Sequence, residues 1–261
     1  MIKAQHLTWK RDQNDMRDHK FDLPLHPPQE LPPTFDIEFT FPVYDQGEIG
    51  SCTANALAAA IEFDKLKNSN EQFVPSRLFI YYNERVIEGD VVTDSGAALR
   101  DGIKSLNIQG VCTETLWPYS DTGPLLEGGA FPPGSKPVTK PTAEAYAEAA
   151  TNKIVKYQRL NQDVHSLQSC LVHDYPFVFG IQVFESWFNN EVVPTTIPMP
   201  TQNDINVGGH AIIAVGYDSP KQVFKFRNSW GPNVGENGYF YIPFHYISNS
   251  ELASDFWVIF S

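Results

Sequence analysis

Apolar side chains in the first half of the chain recur at intervals of three and four, which is the period of a helix that buries one face. The clearest run is rich in alanine and carries Leu57 and Ile61, so both sides of this helix should be buried. Ser51 precedes the run and is a plausible N-cap. The pattern predicts helices at residues 51–68, 75–87 and 97–106, with shorter ones at residues 143–150 and 164–173.

The second half changes to short runs of β-branched and aromatic residues, separated by Gly, Pro and Asn, as is typical of strands. A protein whose helices come first and whose strands follow is expected to be α+β. We therefore predict a helical lobe that faces a β-rich lobe, with a cleft between them as the default ligand site. The predicted strands are residues 177–183, 210–217, 223–227, 239–242 and 256–260.

The first thirty residues differ from the rest, because they mix charged and polar side chains around a few apolar anchors such as Leu7 and Trp9. Prolines in residues 22–33 favour extended polyproline geometry. We interpret residues 1–30 as an N-terminal arm on a two-lobed domain. That domain is expected to cover residues 31–261, with the helical lobe at about 41–125 and the β-rich lobe at about 126–261.

The chain has 261 residues and a formal net charge of −12, which argues against a nucleic-acid partner. Its apolar runs are much shorter than a membrane span, and no secretory signal is visible. We expect a cytoplasmic protein or one exported by a non-classical route. No cysteine or histidine spacing suggests a metal site, so neither a metal nor a cofactor is expected. A disulfide between Cys112 and Cys170 remains an open alternative.

Cys52 stands at the predicted amino end of the longest helix, where unpaired N–H groups and the helix dipole favour a thiolate. Gln46 lies six positions earlier and offers a side-chain amide that can donate to a developing oxyanion. Gly47 and Gly50 allow close approach of backbone to a ligand. This arrangement is typical of a nucleophile site.

A thiolate nucleophile needs a proton carrier, and His210 is the best candidate because it enters an apolar strand behind two glycines. Asn228, on the next predicted strand, could orient the imidazole. Trp230 would then cover the bond between them.

Three sequence blocks in this order resemble the papain family of cysteine peptidases: residues 46–52 around the cysteine, 209–217 around the histidine, and 228–239 around the asparagine. The resemblance covers residues 31–261 and implies peptide hydrolysis in a papain-like fold. It assigns the nucleophile to Cys52, the acid and base to His210, the orienting group to Asn228, and oxyanion donors to Gln46 and the Cys52 N–H. Residues implied to bind substrate are Ser95, Gly96, Gly209 and Trp230.

The chain departs from the family signature at two positions beside the nucleophile, with Ile49 in place of a cysteine and Thr53 in place of an aromatic residue. A catalytically silent relative that binds peptides and an acyltransferase that uses the same triad are the alternatives. The expected partner is a peptide or protein substrate. The arm either lies in the cleft as a plug or packs along the outside of a lobe, and of these two we favour the outside.

Overall fold

The computed structural model describes residues 7–21, 30–69, 72–126, 128–188 and 193–261. The extended geometry expected for residues 22–33 falls mostly on residues 22–29, which lie outside the described residues.

The helices follow the predicted pattern to within two residues at most ends. Helix α2 begins where the Ser76 hydroxyl accepts a hydrogen bond from the Phe79 N–H, and ends at Gly89 in the left-handed conformation. The helices are α1 (Cys52–Ser69), α2 (Arg77–Glu88), α3 (Leu99–Ile108), α4 (Ala143–Ala149), α5 (Val164–Val172) and a short α6 (Phe244–Ile247).

All five predicted strands are present: β3 (Phe177–Phe184), β4 (Asn206–Asp218), β5 (Val223–Arg227), β6 (Tyr239–Pro243) and β7 (Ala253–Phe260). The sequence pattern missed two short strands, β1 (Thr34–Asp36) and β2 (Lys156–Arg159). Together they form an antiparallel sheet in the spatial order β2-β7-β3-β4-β5-β6, while β1 pairs with β4 beside it. Strand β4 begins four residues earlier than predicted.

Helix α1 is the central element, because it packs against α2 and α3 on one side and against β4 on the other. This explains its alanine-rich sequence: residues 52–62 are all buried, and small side chains let neighbouring backbones approach. The first residue of α1 therefore lies where the helices meet the sheet. The α+β architecture expected from the sequence is confirmed.

The segment after residue 128 still packs on the helical side. Tyr146 of α4 donates a hydrogen bond to Asn83 of α2, and Glu148 accepts one from the Thr113 N–H. After residue 128 the chain first pairs with the sheet at β2. We therefore place the change from helical to β-rich lobe near residue 150, later than the residue 126 expected from composition.

The three cysteines are free and buried, so Cys112 and Cys170 do not form a bridge. Cys170 instead donates its thiol hydrogen to the Tyr175 carbonyl. Among the described residues no helix is both long and apolar enough to cross a bilayer.

Candidate active site

Two neighbouring strands bring His210 and Asn228 together. His210 lies in β4, and Asn228 directly follows β5, which pairs with β4 from Ile213↔Arg227 onward. The Nε2 atom of His210 lies 2.8 Å from the Oδ1 atom of Asn228. Asn228 is fixed in turn, because its N–H donates to the Gly238 carbonyl and its Oδ1 also accepts from the Ser229 N–H.

This bond defines the protonation of the imidazole. An amide oxygen can only accept, so Nε2 of His210 must carry the hydrogen, and in the neutral ring Nδ1 then presents a lone pair. In the described part of the chain, that Nδ1 is buried and has no hydrogen-bond partner. The ring is therefore set to take up a proton at Nδ1.

Aromatic rings shield the imidazole on the far side. Trp230 stacks on His210 with ring centroids 5.0 Å apart. The ring centroid of Trp187 lies 5.2 Å from that of Trp230. Both tryptophans exclude water from the bond between His210 and Asn228, which strengthens it. Trp230 therefore lies against the triad and contacts the imidazole, as the sequence suggested.

Cys52 is the first residue of α1 and is fully buried. Backbone hydrogen bonds from Ala211, Thr53 and Thr8 reach its sulfur, and each lowers the pKa of the thiol. The Ser51 hydroxyl does not cap the helix as the sequence suggested; it bonds to Tyr119 and Asn55.

Burial controls the charge state of the pair in this arrangement. Loss of solvent raises the pKa of Cys52 to about 12, and burial lowers the pKa of His210 to about 4. Burial therefore favours a neutral thiol and a neutral imidazole in this arrangement, whereas the sequence led us to expect a thiolate at Cys52. The physical reason is a segment of the chain that covers both groups.

The Gln46 side chain is held between two loops. Its Oε1 accepts a hydrogen bond from the Ser229 hydroxyl at 2.6 Å, and its Nε2 donates to the Ile49 carbonyl at 3.0 Å. The Gln46 N–H also donates to the Ser229 carbonyl. These bonds connect the loop before Cys52 to the residue after Asn228.

The covering segment is residues 7–10 of the N-terminal arm, which lie in the cleft between the lobes. The Trp9 N–H donates to the Gly209 carbonyl, and the Gly209 N–H donates to the Leu7 carbonyl, both at 2.9 Å. On the helical side the Lys10 N–H donates to the Ala97 carbonyl at 3.0 Å. Our expectation that the arm packs outside a lobe was wrong: both walls of the cleft offer backbone groups that pair with it.

Thr8 passes directly over Cys52, because its backbone hydrogen bond reaches the sulfur. Its hydroxyl donates to the Gly50 carbonyl at 2.8 Å. A Cβ at Gly96 would lie 1.9 Å from the Thr8 carbonyl oxygen, and one at Gly50 would lie 2.3 Å from the Thr8 hydroxyl. Only glycines at these two positions let the arm approach so closely.

Trp9 fills a pocket on the sheet side. A Cβ at Gly180 would lie 1.9 Å from the indole ring. Gly180 pairs with Ala211 on β4 and with Ser254 on β7, and paired residues of antiparallel strands point to the same face. Three small residues side by side thus make room for the Trp9 side chain, of which only 4% is exposed.

The predicted substrate-binding residues divide into two groups. Gly209 and Gly96 contact the arm, whereas the Ser95 hydroxyl donates to the Gly96 carbonyl and Trp230 contacts His210. Gly50, one of the two glycines expected to allow close approach, contacts the arm at Thr8, whereas sequence reasoning missed the contacts at Ala97 and Gly180. No local signal singled out Ala97 or Gly180, because their proximity depends on how the strands and the α3 loop assemble.

Beyond the cleft the arm enters a cluster of charged side chains. We call this the charge cluster; it comprises Asp12, Asp18, Arg100, Arg159 and Asp255. Arg159 lies 2.9 Å from Asp12, 3.0 Å from Asp18 and 3.2 Å from Asp255. Arg100 pairs with Asp18 as well.

The charge cluster changes the acidity of Asp12. Burial raises the pKa of its carboxyl to about 6, with a further contribution from the negative charge of Asp255. Hydrogen bonds from the Arg100 N–H and from the Trp257 indole, and the charge of Arg159, act in the opposite direction. Asp12 is therefore partly protonated in mild acid while the arm is docked.

Comparison with known proteins identifies the family of the chain. The model of the papain family cysteine protease matches residues 31–256. An uncharacterized peptidase C1-like protein of Acanthamoeba polyphaga mimivirus is 44% identical over 225 residues, which cover 82% of this chain and 68% of the viral protein.

Solved structures agree with this result. Xylellain, a cysteine protease of Xylella fastidiosa, has a TM-score of 0.95 and 50% sequence identity over 99% of this chain and 97% of its own. Procathepsin B of Trypanosoma congolense has a TM-score of 0.67 and 17% identity over 92% of this chain and 81% of its own. The second similarity concerns the fold alone.

Proposed function

The chain belongs to the papain family of cysteine proteases and is a thiol protease, and from this premise we propose that Cys52 is its nucleophile, His210 its acid and base, and Asn228 the group that orients the imidazole. The observation that carries the proposal is the bond between His210 Nε2 and Asn228 Oδ1. It leaves the lone pair of Nδ1 to accept the thiol proton. We place the catalytic domain at residues 31–261.

Once the cleft is open, proton transfer from Cys52 to His210 gives the ion pair, which water and the N-terminus of α1 then stabilise. The thiolate attacks the peptide carbonyl, and the Cys52 N–H together with the Gln46 amide stabilises the oxyanion. His210 then protonates the leaving amine, and water hydrolyses the thioester. The C–N bond is broken and one water is consumed.

We also propose that residues 1–30 keep the enzyme latent. The support is that the arm already uses both backbone groups of Gly209 and lies over Cys52. Two structures with the same fold are of proforms, procathepsin B of Trypanosoma congolense and the pollen protease Amb a 11 in its proform. A substrate needs the space and the hydrogen bonds that the arm occupies.

The substrate-binding residues follow from the same contacts. We infer that a substrate backbone pairs with Gly209 and passes Gly96, with Ser95 supporting the Gly96 loop. The pocket over Gly180 is wide enough for an indole and should accept large aromatic side chains.

The test is hydrolysis of an aromatic-containing fluorogenic peptide by the full chain with the arm loosened by Trp9→Ala. Adding Cys52→Ala should reduce turnover by at least about a thousandfold, because the nucleophile is lost. Cys112→Ala is the matched control, since that cysteine is also free and buried but lies away from the cleft.

Equal turnover with and without Cys52 would refute the proposed nucleophile. Product analysis in the presence of a competing amine separates hydrolysis from acyl transfer. An amide product in place of the free acid would favour the acyltransferase alternative.

A further inference from the structure

A buried carboxyl lies beneath the residue that follows the nucleophile. Thr53, which stands where the family signature has an aromatic residue, donates its hydroxyl hydrogen to Oε2 of Glu84 at 2.8 Å. Glu84 belongs to α2 and has no exposed surface. A fully buried glutamate is unusual unless it is paired or has a role.

The space for this carboxyl comes from a third helix. A Cβ at Gly102 of α3 would lie 2.2 Å from Oε1 of Glu84. In the described part of the chain, that Oε1 has no hydrogen-bond partner. Thr53, Glu84 and Gly102 thus form one set, in which a small threonine and a glycine leave room for the Glu84 carboxyl.

The set is connected to the reactive sulfur. A backbone hydrogen bond from Thr53 reaches Cys52 and lowers the pKa of its thiol. Because the Thr53 side chain is anchored by Glu84, the direction of its N–H is fixed before substrate arrives. Glu84 contacts neither the arm nor the triad in any described bond, so it acts only through Thr53 and through its charge.

Several charged groups face Glu84. Burial raises the pKa of its carboxyl to about 8, and Glu88 of the same helix and Asp101 of α3 add to this increase. Arg85 acts in the opposite direction, as does the hydrogen bond from Thr53. When Glu84 ionises, its negative charge in turn raises the pKa of Cys52.

We propose that Glu84 is a positioning residue for the nucleophile: its carboxyl anchors Thr53, whose N–H stabilises the Cys52 thiolate. The proposal rests on the proposed role of Cys52. It assigns a function to the departure from the family signature at Thr53. When Glu84 ionises above neutral pH, its negative charge destabilises the Cys52 thiolate that the Thr53 N–H stabilises.

The test measures the rate at which iodoacetamide alkylates Cys52, by intact mass, in the full chain loosened by Trp9→Ala. Glu84→Ala removes the anchor and should slow alkylation about tenfold, equivalent to about 1.4 kcal/mol. Glu84→Gln still accepts the Thr53 hydrogen and should restore most of the rate. Asn83→Ala is the control, because Asn83 is buried on the same helix but bonds to Tyr146.

The pH profile separates positioning from simple stability. Above about pH 8 the parent should lose rate as Glu84 ionises, whereas Glu84→Gln should not, so the ratio of the two rates rises about threefold by pH 9.5. A ratio that is constant with pH overturns the proposal, even if Glu84→Ala fails to fold. Normal alkylation without peptide hydrolysis would instead count against the proposed function and leave this test valid.

Discussion

The two described parts of the arm are held by different forces. Residues 7–10 lie in the cleft through backbone hydrogen bonds to Gly209 and Ala97 and through the buried indole of Trp9. Residues 11–21 lie outside it, where Asp12 and Asp18 pair with arginines of the charge cluster. The first part covers Cys52, whereas the second contacts the domain only outside the cleft among the described residues.

This difference has an energetic consequence. Backbone pairing and apolar burial change little with pH or salt, whereas charge pairs depend on both. Substitutions in the cleft part should therefore open the enzyme under all conditions. Substitutions in the charge cluster should change how opening depends on the solution.

The largest effect is expected for Trp9→Ala. Removing the indole forfeits about 3 kcal/mol of burial and leaves the pocket over Gly180 empty, so the open fraction should rise about a hundredfold. Peptide turnover and Cys52 alkylation should increase together. Trp9→Phe should behave much more like the wild type, and unchanged alkylation in the alanine variant would show that Trp9 does not hold the arm.

Arg159→Met should have the next largest effect. It leaves the buried carboxyls of Asp12 and Asp255 without their cation, which costs about 2 kcal/mol of docking after allowance for the partial exposure of Arg159. We expect about thirtyfold faster alkylation of Cys52. Lys156→Met on the same strand is the control, and an equal response of both variants would contradict a specific role for the charge cluster.

The effect of pH on docking of the arm should be smaller than that of either substitution. Acid should tighten docking and should not release the arm. Docking raises the pKa of Asp12 from about 4 to about 6, so the docked arm binds a proton more tightly than the free arm. The stabilisation of docking by this proton is fully present below the pKa of Asp12 in the free arm, and it is lost as pH rises through 6. Docking should be about tenfold tighter at pH 5 than at pH 7.5.

Asp12→Asn isolates this response, because the amide keeps the shape of the side chain and cannot titrate. Its alkylation rate should vary with pH no more than that of the arm-loosened parent. A full-length enzyme that opens as pH falls from 7.5 to 5 would contradict the assignment to Asp12.

The smallest effect is expected at Lys10, whose ammonium pairs with Glu88 near the surface. The Lys10 side chain is 45% exposed, so the pair contributes about 0.5 kcal/mol at most. Lys10→Ala should increase alkylation no more than about twofold, and the change should vanish at high salt. A larger effect would show that charge pairing also holds the cleft part of the arm.

The sequence predicted the elements whose patterns are long. Helices α1 to α3 and strands β3 to β7 carry enough apolar residues for their period to be read, whereas the three-residue β1 and the four-residue β2 and α6 do not. The extension of β4 to Asn206 was also missed, because glycines at 208 and 209 indicate a loop until a partner strand is known.

The site residues were predictable only where each lies within a recognisable sequence motif. Cys52, His210 and Asn228 sit in recognisable blocks, and the strand pairing then brings the last two together. The path of the arm was not predictable, because Leu7 and Trp9 suit an outer groove as well as the cleft. Glu84 was missed for a similar reason: a single glutamate in a helix usually faces solvent.

The arm and the cleft belong to one chain, and this has a consequence for how latency responds to dilution. A tethered segment competes at an effective concentration in the millimolar range, whatever the amount of enzyme present. Diluting the protein should therefore not activate it, and a separate peptide must match that local concentration before it displaces Thr8 from above the sulfur. Under the proposed latency, activity is controlled by events on the tether or its anchors, and the abundance of the enzyme alone does not set it.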